Sequence, residues 1–215
     1  CGDSYVDNYV AARGHKYNAV VTNPNSESYV RFDGSFHLGN KVLNGNVIVE
    51  SKKIADLIND NINKQLIDVK YNIPAAVGFD VVLNPQNVNL SNIVVKYGNS
   101  QGAGVFQMPL NEENGKKTIV TKFDFTDLDL SPAVDVVKSF VTKYKEVDYV
   151  PDYGFDVDAE VKALRASYNN QGLKDFKADV ALVDNVIKVD DLSMTLPGDM
   201  EVKVKGNVYS EDDTV

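Results

Sequence analysis

The stretch that decides the fold is Asn87-Val-Asn-Leu-Ser-Asn-Ile-Val-Val-Lys-Tyr-Gly-Asn-Ser-Gln-Gly-Ala-Gly-Val-Phe-Gln-Met108. It combines alternating apolar and polar residues with an Asn-rich turn and punctuating glycines. A related pattern returns in Asn185-Val-Ile-Lys-Val-Asp-Asp-Leu-Ser-Met-Thr-Leu-Pro-Gly-Asp-Met-Glu-Val-Lys-Val-Lys-Gly-Asn-Val208, and a shorter version runs from Tyr29 to Val49. Repetition of one supersecondary unit indicates a molecule built by stacking that unit. The sequence therefore predicts a sheet grown from successive hairpins.

Strand-like alternation dominates the rest of the chain. The segment Phe155-Asp-Val-Asp-Ala-Glu-Val-Lys162 alternates apolar and charged residues without a break, which is the period of a half-buried strand. The same alternation recurs around Val180 and around Val202. Such alternation is typical of antiparallel sheets with one dry and one wet face. We predict a mainly β fold, an elongated, twisted antiparallel sheet that forms a β-groove from repeated hairpin modules.

Two segments break this alternation with apolar residues at helical spacing. The first follows Ser51, a good N-cap residue, and the second follows Ser131-Pro132, an N-cap with proline at the first helical position. The sequence therefore predicts two short amphipathic helices, near Lys52–Lys64 and Pro132–Lys143.

These patterns divide the chain into five segments. A lead-in covers residues 1–28, a first β repeat with its helix 29–70, a second β repeat with its helix 71–144, a polar linker 145–154 and a third β repeat 155–215. Turns are expected where glycine, asparagine and proline cluster: Gly39-Asn40, Asn44-Gly45, Gly98-Asn99, Gly115 and Pro197-Gly198.

Composition excludes several classes of protein. Hydrophobic residues make up 43% and charged residues 25% of the 215 residues, which indicates a globular chain. The net charge of −9 and the absence of Trp argue against a nucleic-acid partner. Cys1 is the only cysteine, so no internal disulfide can form; it is either a fragment boundary or a processed lipoprotein cysteine. No apolar run approaches the ~18 residues of a membrane-spanning helix.

Residue types that carry chemistry are sparse and scattered. His15 and His37 are the only histidines, and no Gly-x-Ser-x-Gly nucleophile motif is present. The glycine-rich segment 98–104 lacks the Gly-Lys-Ser/Thr ending of a phosphate-binding loop. The acidic segment 124–129 lacks the mid-loop glycine and terminal glutamate of a calcium loop. We therefore predict a protein that is not an enzyme, with no cofactor and no metal.

The segment Leu164–Gly206, with its Leu196-Pro-Gly198 motif, resembles the repeat of the AsmA-like family. That repeat runs through a strand, a gapped turn, a leucine-rich strand, Leu-Pro-Gly and a strand ending in glycine. The preceding Phe123-Asp-Phe-Thr-Asp-Leu-Asp-Leu-Ser-Pro132 resembles the strand-to-helix junction of the family. The likeness extends over roughly Tyr29 to Val208.

The resemblance implies a bacterial protein of outer-membrane and envelope biogenesis, located in the periplasm and anchored to the inner membrane. Its relatives, which include bridge-like lipid transfer proteins, carry lipids along β-grooves. The implied partners are phospholipid acyl chains, envelope proteins at the groove ends, and a membrane reached through a segment outside this chain. Physical reasoning supports this function, because large exposed apolar patches usually mark binding sites.

The expected groove residues occupy alternating apolar positions. They are Phe79, Val81, Leu83, Ile93, Val95 and Phe123 in the second repeat, and Val180, Leu182, Ile187, Val189, Met194, Leu196, Val202 and Val204 in the third. Two hypotheses remain: a groove that binds or conducts lipids, or a structural or adhesive β module whose apolar face is closed and holds no lipid. A bulge at Ala163-Leu164 or near Gly104 would exchange the two faces beyond it.

Overall fold

The computed structural model describes residues 9–11, 14–62, 68–111, 117–135, 155–183 and 186–208. Strands account for 74% of the described residues, and the same residues include two short helices, so the prediction of a mainly β fold with two helices is confirmed. Residues 136–143 of the second predicted helix lie outside the described residues. The chain divides into two compact units, residues 1–111 (unit 1) and 112–215 (unit 2). The predicted linker 145–154 and the predicted turn at Gly115 lie outside the described residues.

The described part of unit 1 is a meander in which each strand pairs antiparallel with the next. Its elements are β1 (Tyr9–Ala11), β2 (Gly14–Asn23), β3 (Ser28–His37), β4 (Val42–Ser51), α1 (Ile54–Ile62), a 3₁₀ helix (Val69–Tyr71), β5 (Ala75–Leu83), β6 (Asn87–Tyr97) and β7 (Ser100–Pro109). Strand β2 shows that part of the expected lead-in belongs to the sheet.

Unit 2 contains one parallel strand pair. Its described elements are β8 (Lys117–Asp129), a helix over residues 131–135, β9 (Phe155–Tyr168), β10 (Gln171–Val183), β11 (Val186–Leu196) and β12 (Met200–Val208). Strands β9 to β12 pair antiparallel, whereas β8 runs parallel to β9. The prediction of a purely antiparallel sheet is wrong at this pair. Parallel neighbours need a long crossover, commonly helical, and residues 130–154 supply the length.

One predicted turn lies inside a strand. Asn44-Gly45 belongs to β4, where Gly45 lies opposite Gly34 of β3, so the turn prediction there is wrong. A Cβ atom placed on Gly34 would lie 2.5 Å from Cζ of Phe32, and one placed on Gly45 would also meet the Phe32 ring. The glycine pair therefore provides the space that the ring occupies. The turns at Gly39-Asn40, Gly98-Asn99 and Pro197-Gly198 are confirmed.

Buried serines fix the start of α1 to the turn between β2 and β3. Ser51 Oγ accepts a hydrogen bond from the Lys53 amide at 3.1 Å and donates to the Ser26 carbonyl at 3.1 Å. The first intrahelical bond runs from the Leu57 amide to the Lys53 carbonyl, so Lys53 is the N-cap and the prediction of Ser51 as N-cap is wrong by two residues. Ser26 is fully buried, and its hydroxyl lies 2.7 Å from that of Ser28. Helix α1 occupies the centre of the predicted range, and residues 63 and 64 of that range lie outside the described residues.

Strands β6 and β10 each contain one extra residue relative to a neighbouring strand, and the apolar side chains before and after it stay on the same face of the sheet. Asn92 adopts a φ of 51° between Leu90 and Ile93, where the register of β6 with β7 shifts. Asp175 adopts a φ of 51° between Leu173 and Phe176, both of which are buried in one cluster. A bulge inserts one residue into the alternation. The sequence has apolar spacing of three at these points, so the two faces are not exchanged beyond them.

The largest closed part of the described core lies in unit 2. Ala163, Ala166, Leu173 and Phe176 are buried together, and Leu130 packs against them. The Leu130 amide donates to the Ser167 carbonyl at 2.8 Å, which ties the start of the crossover to β9. Elsewhere among the described residues, Ala55 and Ile93 are the only other buried apolar side chains.

Candidate functional site

Strand register gives unit 1 one predominantly apolar face. Residues directly opposite each other on neighbouring strands project to the same side of a sheet. Val47 lies opposite Phe79, Val77 opposite Val95, and Val81 opposite Leu90. We call this side of β2 to β7 the apolar face of unit 1. It carries all the predicted groove residues of this unit: Phe79, Val81, Leu83, Ile93 and Val95.

Unit 2 has a corresponding apolar face, defined by a row that crosses all five of its described strands. In this row Phe123, Val161, Ala178, Leu192 and Val204 are successive register partners. The face also carries the other predicted residues of the third repeat: Val180, Leu182, Ile187, Val189, Met194, Leu196 and Val202. Phe123 had been grouped with the second repeat, and the structure places it with the residues of the third.

The predicted groove residues are mostly half-buried. Ile93 is buried, with 4% of its surface exposed, whereas Ile187 and Val204 are 43% and 46% exposed. All the remaining predicted groove residues have intermediate exposure. Side chains beneath a second packed layer would be buried, as Phe176 is at 8% exposure. Most of the predicted residues therefore keep contact with solvent on an apolar surface.

The opposite face of unit 1, which we call the polar face, is mainly polar and hydrogen-bonded between strands, although Val20 and Val94 are exposed on it. Asp80 accepts from Asn92 Nδ2 at 2.8 Å and from Asn46 Nδ2 at 3.2 Å. These two amide donors stabilise the carboxylate and hold the pKa of Asp80 below its usual value. The polar face is thus stabilised by side-chain pairs that need no ligand.

The opposite face of unit 2 is charged, with both signs interspersed. Asp127 receives two hydrogen bonds from Arg165, at 2.6 and 2.8 Å, which lower the pKa of its carboxyl group. Lys177 Nζ lies 3.0 Å from Asp191 Oδ2, which lowers the pKa of Asp191 and raises that of Lys177. Because paired charges of this kind are well hydrated, they favour a position in solvent for this face of unit 2.

These lowered carboxyl pKa values predict a loss of stability in acid. A carboxyl group whose folded-state pKa is depressed stabilises the fold above its unfolded pKa, near 4, and this stabilisation disappears as the pH falls through the folded value. We expect the free energy of unfolding, measured with urea, to be steady near about pH 6 and to fall below about pH 4. Asp191→Asn should make this fall shallower.

Added salt should distinguish the Lys177–Asp191 ion pair from the hydrogen bonds that Asp80 accepts from neutral amides. Added salt should weaken the acid dependence that Asp191 contributes through Lys177, because screening acts on ion pairs. It should leave the contribution of Asp80 largely intact, because its partners are neutral amides. An acid dependence that Asp191→Asn and Asp80→Asn both leave unchanged would contradict this assignment.

Among the described residues, the side chains that could act in catalysis or bind a metal do not lie together at one site. His15 lies in β2 with its ring 6.4 Å from that of Tyr17, and His37 is half-buried at the end of β3. Within the described ranges, no group of three or more His, Cys, Asp or Glu could hold a metal ion. In the same part of the chain, no helix has the length and apolarity needed to cross a membrane.

Sequence reasoning missed Ala163, Ala166 and Leu173 of the closed cluster in unit 2. Leu173 and Phe176, like Ala163 and Ala166, are spaced by three, and alternation alone assigns the members of each pair to opposite faces. The sequence did carry a signal for this cluster. On β9 and on β10, one pair of apolar residues is spaced by three instead of two, and the two pairs lie beside each other in the sheet. This spacing indicates a coordinated change of phase in β9 and β10.

Comparison of the chain with protein-family models, with curated proteins and with solved structures gave no match. The AsmA-like resemblance of residues 164–206 therefore stays a prediction from the sequence, and the two apolar faces are the features on which a function can be argued.

Proposed function

We propose that this protein binds lipids, with acyl chains lying along the apolar faces of its sheets. The observation that carries the proposal is the row Phe123, Val161, Ala178, Leu192 and Val204, which is apolar and only partly buried while the opposite side of the same strands is charged. Val161, Ala178 and Leu192 of this row also pack against the closed cluster of unit 2. A sheet with this asymmetry offers one side to water and the other to an apolar ligand.

The dimensions of the row suit an acyl chain. Four inter-strand spacings of ~4.8 Å make it about 19 Å long, comparable with the ~15 Å that one leaflet occupies in a bilayer core. Each methylene group removed from water contributes about 0.8 kcal/mol, so affinity arises without positioned polar groups. The predominantly apolar character of this face is consistent with an affinity for acyl chains that depends on the apolar area buried on binding.

The AsmA-like resemblance of Leu164–Gly206 supports a wider form of the same proposal. In that form the protein conducts lipids through the bacterial periplasm for outer-membrane biogenesis. It is tethered to the inner membrane by a segment outside this chain, and other envelope proteins meet it at the ends of the groove.

One observation favours the alternative, a structural or adhesive module with a closed core. Ala163, Ala166, Leu173 and Phe176 are buried, and Leu130 packs against this cluster. Part of the apolar face of unit 2 is therefore closed by the chain itself. The alternative requires the rest of both faces to be closed in the same way.

Two adjacent valines of β6 provide a matched test. Val95 lies on the apolar face opposite Val77 and Gly102, whereas Val94 lies on the polar face and is 47% exposed. We expect phospholipid to co-purify with the wild type and with Val94→Asp, and to fall about ten-fold with Val95→Asp, because a charge adds an unfavourable contact of about 1.4 kcal/mol. Native mass spectrometry measures the bound lipid.

The melting temperature of the same variants separates the hypotheses. On an open face the Val95→Asp carboxylate stays hydrated, and the melting temperature should be close to that of Val94→Asp. In a closed core it would be buried without a partner, which strongly destabilises a fold. Collapse of the fold in Val95→Asp alone, or a wild-type protein free of lipid, would contradict the lipid proposal.

A further inference from the structure

The outer edge of β12 is the edge that does not pair with β11, and it has no role in the proposed function. On one side β12 pairs with β11, and no other described strand pairs with its far side. Met200 is 61% exposed, and the side chains of Glu201 and Lys203 are 73% and 70% exposed. A strand edge of this kind presents backbone donors and acceptors to which another strand can pair.

The sequence of this edge is self-complementary when it is reversed. In Asp199-Met-Glu-Val-Lys-Val-Lys205, the residues on the two sides of Val202 have opposite charges or are both apolar. If a second copy pairs antiparallel with Val202 opposite Val202, Glu201 faces Lys203 and Met200 faces Val204. Asp199 and Lys205 then meet at the ends. Opposite charges and apolar pairs at directly facing positions stabilise a sheet.

We propose that two copies of this chain associate by antiparallel pairing of their β12 strands, with a two-fold axis through Val202. A two-fold interface uses each contact twice, so two Glu201–Lys203 pairs form. Directly facing residues share one side of a sheet, and the apolar faces of the two copies of unit 2 therefore lie on the same side of the joined sheet.

The charges also select the register. A shift that centres the axis on Lys203 places two lysines opposite each other, and one that centres it on Glu201 places two glutamates together, and like charges at facing positions are destabilising. Only the Val202 register pairs every charge of Glu201 and Lys203 with its opposite. Edges that are protected against pairing usually carry unmatched charges, most often lysine, whereas this edge carries matched ones.

The contacts made within one chain do not compete strongly. Lys203 Nζ lies 3.6 Å from Glu201 Oε2 on the same strand, and Lys174 Nζ lies 4.0 Å from Asp199 Oδ1. All four side chains are at least 70% exposed, and ion pairs in such positions contribute little. Exchange for partners on a second copy therefore has a low cost.

Sedimentation of the full chain tests the proposal. At about 100 µM, where Kd values in the micromolar range give mostly dimer, we expect the wild type to be dimeric. Glu201→Lys and Lys203→Glu should each weaken the dimer about ten-fold, because each replaces two attractive facing pairs by two repulsive ones. The double variant Glu201→Lys/Lys203→Glu should dimerise as the wild type does, and a mixture of the two single variants should form a heterodimer.

Two variants with the same changes of charge on interior strands serve as controls. Asp158→Lys in β9 and Lys96→Glu in β6 alter exposed side chains on strands flanked on both sides. They should leave dimerisation unchanged. A wild type that stays monomeric at this concentration overturns the proposal, as does a double variant that dimerises no better than the single ones.

Discussion

Phe176→Ala should lower the free energy of unfolding of unit 2 by about 3–5 kcal/mol, the usual cost of removing a buried phenylalanine. Phe176 is 8% exposed and lies in the closed cluster with Ala163, Ala166 and Leu173. The two alanines are too small to extend into the vacated space, and the backbone of β9 and β10 is held by its register. A cavity should therefore remain, and its cost is a large part of the ~5–15 kcal/mol that stabilises a typical domain.

Urea unfolding combined with hydrogen exchange of the β9 to β11 amides measures this loss. Phe123→Ala is the matched control, because Phe123 is on the same face but half-buried and stacked on Phe125 with centroids 6.0 Å apart. It should cost clearly less. Equal losses in the two variants would mean that the cluster around Phe176 is no more closed than the rest of the face.

Gly34→Ala should destabilise unit 1 by about 3 kcal/mol, the upper end of the usual cost of overpacking. A Cβ atom at this position would meet the Asn44 carbonyl oxygen and would lie 2.8 Å from Gly45 Cα. Both contacts are with backbone, so β3 and β4 would have to separate, and the Phe32 ring would lose its place over the glycine pair. Relief by a side-chain rotation alone is not available.

Gly172→Ala provides the comparison for this prediction. Gly172 lies in β10, and a Cβ atom there would have no neighbour within 4 Å, so the substitution should change stability little. Thermal unfolding of the two variants beside the wild type gives the difference. If Gly34→Ala melts at the same temperature as Gly172→Ala, the close approach of β3 and β4 is not required by the fold.

Alternation in the sequence predicted strands and faces well, because it reflects a local property of each strand. Phe155–Lys162 forms the first half of β9, and every predicted groove residue lies on the apolar face of its own unit. The direction of β8 was not predictable in this way. A strand with one wet face shows the same alternation whether its neighbour is parallel or antiparallel, so alternation does not encode the direction of β8 relative to β9.

The Asn44-Gly45 error has a non-local cause. Asn-Gly is a strong local signal for a hairpin turn. In this chain the glycine is needed because Gly34, eleven residues earlier, lies opposite it and Phe32 covers both. The pairing of two strands and the position of one ring decide the role of Gly45, and neither is visible in a short window of sequence.

The parallel pairing of β8 with β9 has a consequence for the order of folding. A two-residue turn, Asn169-Asn170, joins β9 to β10, and residues 197–199 join β11 to β12, so these hairpins close short loops. Strand β8 reaches its place only after residues 130–154 have been spanned, and closing a longer loop costs more entropy. We expect the antiparallel hairpins of unit 2 to assemble from local contacts, with β8 docking on β9 as the last and slowest step.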